Sequence, residues 1–320
     1  MSNRLLGHSI GGVPVAWGMD TIALAGGKIF YVDPIAGADG NSGRDPDAAL
    51  LTIQAAHDVT TTGKNDIIVL IAAATANPIT ATLAWDHTYT HMVGACAPLL
   101  LGQRARVTAT SAAAVYPLVT ISGRGCYFAN IKFSNEYSTN TASAGCVKIT
   151  AADCYFKNCT MDIISATLLA RTDTYSLWLN AASECYFDTC TFGADTADAA
   201  GAGYNVLLDG GASKAFFKDC LFLTRASSST SRVMVKFDAS AVGMGIAAIF
   251  DGCSFVNTAT NHGVTMADAF SCSGGYTYNV LVKGTGNQLL GITGWADTTT
   301  YVYVFNGTTT AMGASQTPAA

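Results

Sequence analysis

The chain has 320 residues, 12% of them charged and 50% hydrophobic, with a mean hydropathy of +0.30. That composition can fill a large core and excludes disorder for most of the chain. A net charge of −5 argues against nucleic acid or an anionic membrane as partner, and the longest near-apolar run, Ile67 to Ala76, falls short of the roughly 20 residues of a spanning helix.

Residues 1–28 are Gly-rich, share no pattern with the rest and read as an attachment arm. They lack a continuous apolar stretch, so no secretory signal is expected, and the ten cysteines read as reduced thiols made in a cytoplasm. Residues 29–60 read as an opening strand, a Gly/Asp/Asn loop and a short capping helix on Thr52-Ile-Gln-Ala-Ala56. Helix is otherwise scarce, because Glu occurs only at Glu136 and Glu184 and the wet faces of helices favour Glu, Lys, Arg and Gln.

From Asp66-Ile-Ile-Val-Leu70 onward, residues 61–295 read as coils, irregular at first and then strongly repetitive. The repeats are Cys126-Tyr-Phe-Ala-Asn-Ile-Lys-Phe133, Cys154-Tyr-Phe-Lys-Asn-Cys-Thr-Met161 and Cys185-Tyr-Phe-Asp-Thr-Cys-Thr-Phe192, then Ala215-Phe-Phe-Lys-Asp-Cys-Leu-Phe222 and Ala248-Ile-Phe-Asp-Gly-Cys-Ser-Phe255. Their starts lie 28, 31, 30 and 33 residues apart, and each follows a short alternating strand such as Val147-Lys-Ile149 or Leu177-Trp-Leu179. One such coil cannot bury its inner face, but a stack of coils at the strand spacing forms one core. Residues 296–320 read as a last strand, Tyr301–Phe305, and a tail.

Alternation turns Cys126, Cys154 and Cys185, with Phe128, Phe156, Phe187, Phe217 and Phe250, toward the core. After a turn residue (Asn130, Asn158, Thr189, Asp219 or Gly252), Cys159, Cys190, Cys220 and Cys253 point inward again. The cysteines therefore read as ladders of small apolar residues, since stacked neighbours have poor disulfide geometry and no zinc spacing occurs. Under the same alternation Tyr127, Tyr155, Tyr186, Phe216 and Ile249 form an outward stripe, expected to be a subunit interface, with sugar stacking as the alternative.

The Phe-x-Asn/Asp-Cys-x-Phe turn and the segment Tyr31–Ala56 resemble the right-handed parallel β-helix of the pectate-lyase-like superfamily. The likeness spans residues 29–295 and implies an all-β, single-stranded solenoid. Enzymes of that family cluster carboxylates with a basic residue on one outer face. No paired Asp-Asp occurs here; Asn261-His-Gly263 reads as a turn, and Asp162, Asp173, Asp195 and Asp198 read as solvated loop carboxylates, with an acidic groove for sugar cleavage as the alternative if they share a face. The loop Asp39–Asp47 is oxygen-rich without an EF-hand register, so no metal or cofactor is expected.

Two function classes follow. The resemblance extends to virion β-helices of tailed bacteriophages, which implies a structural, non-enzymatic virion protein made in the host cytoplasm. It would be a homotrimeric head decoration or spike (minor capsid) protein, docked on a major capsid or other virion protein through residues 1–28. The alternatives are a tailspike-type polysaccharide lyase or glycosidase (a depolymerase) and a non-catalytic adhesin for a host surface glycan. Neither nucleic acid nor membrane is expected as a partner.

Overall fold

A computed structural model describes residues 27–73, 77–109, 115–136, 145–227, 232–238, 245–259, 263–272, 278–283, 286–297 and 302–305. The attachment arm expected at residues 1–28 falls almost wholly outside these residues, as do Asn261, His262 and Tyr301.

The chain is a right-handed parallel β-helix built of three parallel sheets of eight, ten and eight strands among the described residues. A representative coil runs through Gly145–Ile149 in the first sheet, Tyr155–Lys157 in the second and Thr160–Ile163 in the third. The next coil repeats this with Tyr175–Asn180, Tyr186–Asp188 and Thr191–Phe192. Pairing is in register from coil to coil: Phe156 lies between Phe128 and Phe187, and Leu177 between Val147 and Val206. Every position therefore meets its own counterpart one coil away, about 4.8 Å along the axis.

That spacing organises the core. Phe128, Phe156, Phe187, Phe217 and Phe250 are fully buried, with consecutive ring centroids 4.8, 5.2, 4.9 and 4.8 Å apart and planes within 15° of parallel. A second column, Phe192, Phe222 and Phe255, meets the first edge-on, as Phe187 and Phe192 do at 77°. Edge-to-face contact joins the positive rim of one ring to the negative face of another, so the two columns hold each other in rotamer.

All ten cysteines are free, and all but the half-buried Cys96 are buried. In the second cysteine ladder each thiol donates to the carbonyl of the preceding coil's phenylalanine: Cys159 to Phe128, Cys190 to Phe156, Cys220 to Phe187 and Cys253 to Phe217, at 3.6, 3.5, 3.4 and 3.3 Å. Burial pushes the Cys159 and Cys220 thiols well up, which keeps them as neutral S–H donors. Cysteine at this position is thus an apolar filler with one weak hydrogen to give.

The turn between the second and third sheets uses a left-handed residue in each of the five regular coils. Asn130, Asn158, Thr189, Asp219 and Gly252 have φ of 57°, 48°, 55°, 51° and 68°. Asn130 donates its amide to the carbonyls of Gly94 and Cys96, and Asn158 donates to Asn130 Oδ1 at 3.0 Å, so the amides chain along the axis. At the turn from the third sheet to the first, buried Asn205 donates to the carbonyls of Phe192 and Leu223.

The N-terminal end is closed by Ile53–Asp58, a helix capped by Thr52, whose hydroxyl accepts from Ala55 N. The loop before it is held by its own carboxylates: Asp39 accepts from Leu51 N and Thr52 N, and Asp33 from Ile35 N and Ala36 N. These oxygens fold the loop.

Thr189 breaks the amide chain and is β-branched in a left-handed conformation, a costly combination. Thr189→Asn is expected to raise stability by about 1 kcal/mol by relieving that strain and donating to Asn158. An unchanged or lower urea midpoint would contradict the account.

Candidate functional site

With the core filled, chemistry is left to the outer faces. On the second sheet two columns run side by side. The first is the stripe, in register from Tyr127 through Tyr155, Tyr186 and Phe216 to Ile249, and it continues into Leu281 and Tyr303. Ring centroids along it are 5.3, 5.2 and 5.8 Å apart. Tyr155, Tyr186 and Phe216 are half-buried, whereas Tyr127 and Ile249 are buried. At its N-terminal end Tyr127 packs in a small apolar cluster with Tyr31, Ala49, Ile67, Val69, Val93 and Ala129.

The neighbouring column alternates in charge: Lys157, Asp188, Lys218, Asp251 and Lys283 pair in sequence across adjacent strands. Lys157 Nζ lies 3.7 Å from Asp188 and Lys283 Nζ 3.2 Å from Asp251; Tyr155 also donates to Asp188 at 3.1 Å, joining the two columns. Opposite charges directly across strands contribute roughly 0.2–1 kcal/mol each, and like charges would cost as much. This column was not read from sequence, although its signal is plain: from Phe156 onward the residue after each core phenylalanine alternates Lys157, Asp188, Lys218, Asp251.

The first sheet carries a different face. Thr120, Lys148, Trp178, Leu207, Lys236 and Ser271 are in register and partly exposed, with Tyr175 and Tyr204 paired beside them. Lys148 Nζ sits 3.9 Å from the centre of the Trp178 ring, and Tyr175 meets that ring edge-on at 5.3 Å. Lys236 lies over the Tyr204 ring and donates to its hydroxyl at 3.0 Å, and Tyr204 donates in turn to Asp173 Oδ1 at 2.9 Å. Arg232 is buried at the edge of this face, donating to Thr174 at 3.5 Å, and burial draws its pKa down to about 10. An ammonium over an indole next to tyrosines can grip a flat polar ring that carries negative charge. No repeated residue type marks this face, so the sequence patterns passed over it.

The four aspartates considered from sequence do not converge. Asp162 corrects the expectation of a solvated loop: it lies in the third-sheet strand Thr160–Ile163, is 2% exposed, and binds Lys132 Nζ at 2.9 Å and the Ser134 hydroxyl. Burial pushes its carboxyl up, against the pull of Lys132 and Ser134 toward the charged form. Asp173 is exposed at the first-sheet face; Asp195 and Asp198 are exposed, with Asp198 paired to Arg225 at 2.8 Å.

No family model and no curated protein matches the chain. Among solved structures it is similar to the pectin methylesterase of Aspergillus niger, at 13% identity and a TM-score of 0.48 over 88% of this chain and 87% of that one. It is also similar to pectin methylesterase PemA from Erwinia chrysanthemi, at 11% identity and 0.46 over 86% and 80%. A pectin methylesterase in complex with hexasaccharide VII matches at 13% identity and 0.45, over 88% and 72%. At this level the likeness is one of fold and carries no residue roles. It does correct the expectation of a non-enzyme: enzymes share this solenoid, so neither the fold nor an unfamiliar carboxylate pattern supports that exclusion.

Asp162→Asn keeps the shape but leaves Lys132 without its counter-charge. The expected cost is about 2 kcal/mol, below the 3–5 of a fully buried pair because Lys132 keeps some water. Unfolding in urea measures it, and parental stability in the variant would refute the pairing's importance.

Proposed function

We propose that this chain is a β-helical subunit of a tailed-bacteriophage particle, a homotrimeric head decoration or spike docked through residues 1–28. The observation that carries the reading is the second-sheet outer face. An unbroken column from Tyr155 to Phe216 is half-exposed beside a column of alternating charge. An apolar stripe rimmed by paired charges is the anatomy of a protein interface, and closed three-fold symmetry would bury it on every copy. A low charge content and a rigid stacked core also suit a part that must survive inside an assembled shell. Tyr186→Lys and Phe216→Lys are each expected to convert trimer to monomer, read by light scattering on the full chain, with the β-rich circular dichroism spectrum kept. A monomeric parent at micromolar concentration would overturn the reading, as would its absence from purified particles.

A second reading is favoured by the first-sheet face: engagement of a host surface glycan, by a tailspike-type depolymerase or by an adhesin. Lys148 over Trp178, flanked by Tyr175, suits a sugar that carries a carboxylate. Trp178→Ala is expected to weaken binding to an acidic capsular polysaccharide about tenfold, the order of a desolvated aromatic contact. Calorimetry measures the affinity, and assays for reducing ends and unsaturated products on the same polymer show whether the glycan is also cleaved. Equal affinity of parent and variant would remove this face from glycan recognition.

A further inference from the structure

Where the capping helix meets the first coils, three side chains from two separate elements converge. His57 belongs to the helix Ile53–Asp58; Asp86 and His87 follow directly on Leu83–Trp85, a first-sheet strand. One ligand atom of each lies within 4.8 Å of the others. His57 Nε2 is 3.7 Å from Asp86 Oδ1, beyond hydrogen-bond range, and the two imidazoles are stacked with centroids 4.3 Å apart.

Two features set this cluster apart from an ordinary surface grouping. His57 is 2% exposed, yet its Nε2 has no hydrogen-bond partner. A buried polar nitrogen without a partner is destabilising, and it leaves His57 Nε2 open to a ligand. The second feature is how His87 is held. Thr60 Oγ1 donates its single hydrogen to the His57 carbonyl at 2.7 Å, so at His87 Nδ1, also 2.7 Å away, it must accept. His87 is thereby fixed with its proton on Nδ1 and a free lone pair on Nε2. An oxygen that accepts from one ring nitrogen, and so fixes the tautomer, is the usual support of a histidine that binds a metal through the other.

We propose that His57, Asp86 and His87 bind one divalent transition-metal ion of borderline softness, of which zinc is the type. Two imidazoles and a carboxylate match that ion's preferred ligands, and the exposed side of Asp86 leaves a fourth position to water. At ligand distances of about 2.0–2.2 Å a tetrahedral site needs donor atoms about 3.3 Å apart, so binding draws the three inward. Asp86, 65% exposed, and His87, half-buried, can swing toward His57, whose ring is held against Trp85 at 4.8 Å. The bound ion would clamp the capping helix to the first-sheet strand that ends at Trp85, closing the N-terminal mouth of the solenoid.

The test uses the full chain, reduced and stripped with chelator, titrated with Zn2+ by calorimetry and with Co2+ by visible absorption. The expected result is one ion per chain at micromolar affinity or tighter, with a Co2+ spectrum free of thiolate charge-transfer bands. His87→Ala and Asp86→Asn lie outside the core and are each expected to weaken binding at least tenfold. Zn2+ is expected to raise the melting temperature of the parent and not that of His87→Ala. His57→Gln, which keeps a polar group in the buried position, serves if His57→Ala does not fold. No binding by the parent, equal binding by parent and variants, or thiolate bands in the Co2+ spectrum would each overturn the proposal.

Discussion

Everything in this molecule depends on parallel, in-register stacking at one strand spacing. A residue in such a stack meets the residue at the same place in the coil before and after it, and almost nothing else along the axis. The constraint selects side chains that tolerate their own kind at about 4.8 Å. Phenylalanine does so by stacking, a thiol by reaching the neighbouring carbonyl, and asparagine by passing its amide hydrogen to the next amide oxygen. Like charges repel at this spacing, and in the second-sheet column that runs from Lys157 to Lys283 they alternate in sign.

The same constraint explains what was legible in the sequence. Columns of one residue type become spaced repeats in the chain, so Phe128 through Phe250 and Cys159 through Cys253 were readable directly, as were the turn and the solenoid. The first-sheet face is a column of unlike residues, Thr120, Lys148, Trp178, Leu207 and Lys236, and it repeats nothing that a period could reveal. Asp162 was misplaced because its pairing is diagonal: Ser134 faces it across the strands, while the charge it needs comes from Lys132 two residues earlier. His57 and His87 lie 30 residues apart on unrelated elements, and only the packing of the cap against the first coils brings them together.

The outer faces differ in what they offer. The second sheet presents a smooth apolar and charge-paired surface suited to a like surface; the first presents cations over aromatic rings, suited to a flat acidic ligand. A solenoid can carry both because its core makes no demand on outward residues beyond the strand. Chemistry on this scaffold is set locally, face by face.

The alternating column on the second sheet gives the solenoid a parity. Removing the single coil that carries Lys218 would lay Asp188 against Asp251, and duplicating it would lay lysine against lysine. Removing or adding two adjacent coils preserves the alternation. Along this stretch the natural unit by which the rod can lengthen or shorten is therefore a pair of coils, even though a single coil is the unit of structure.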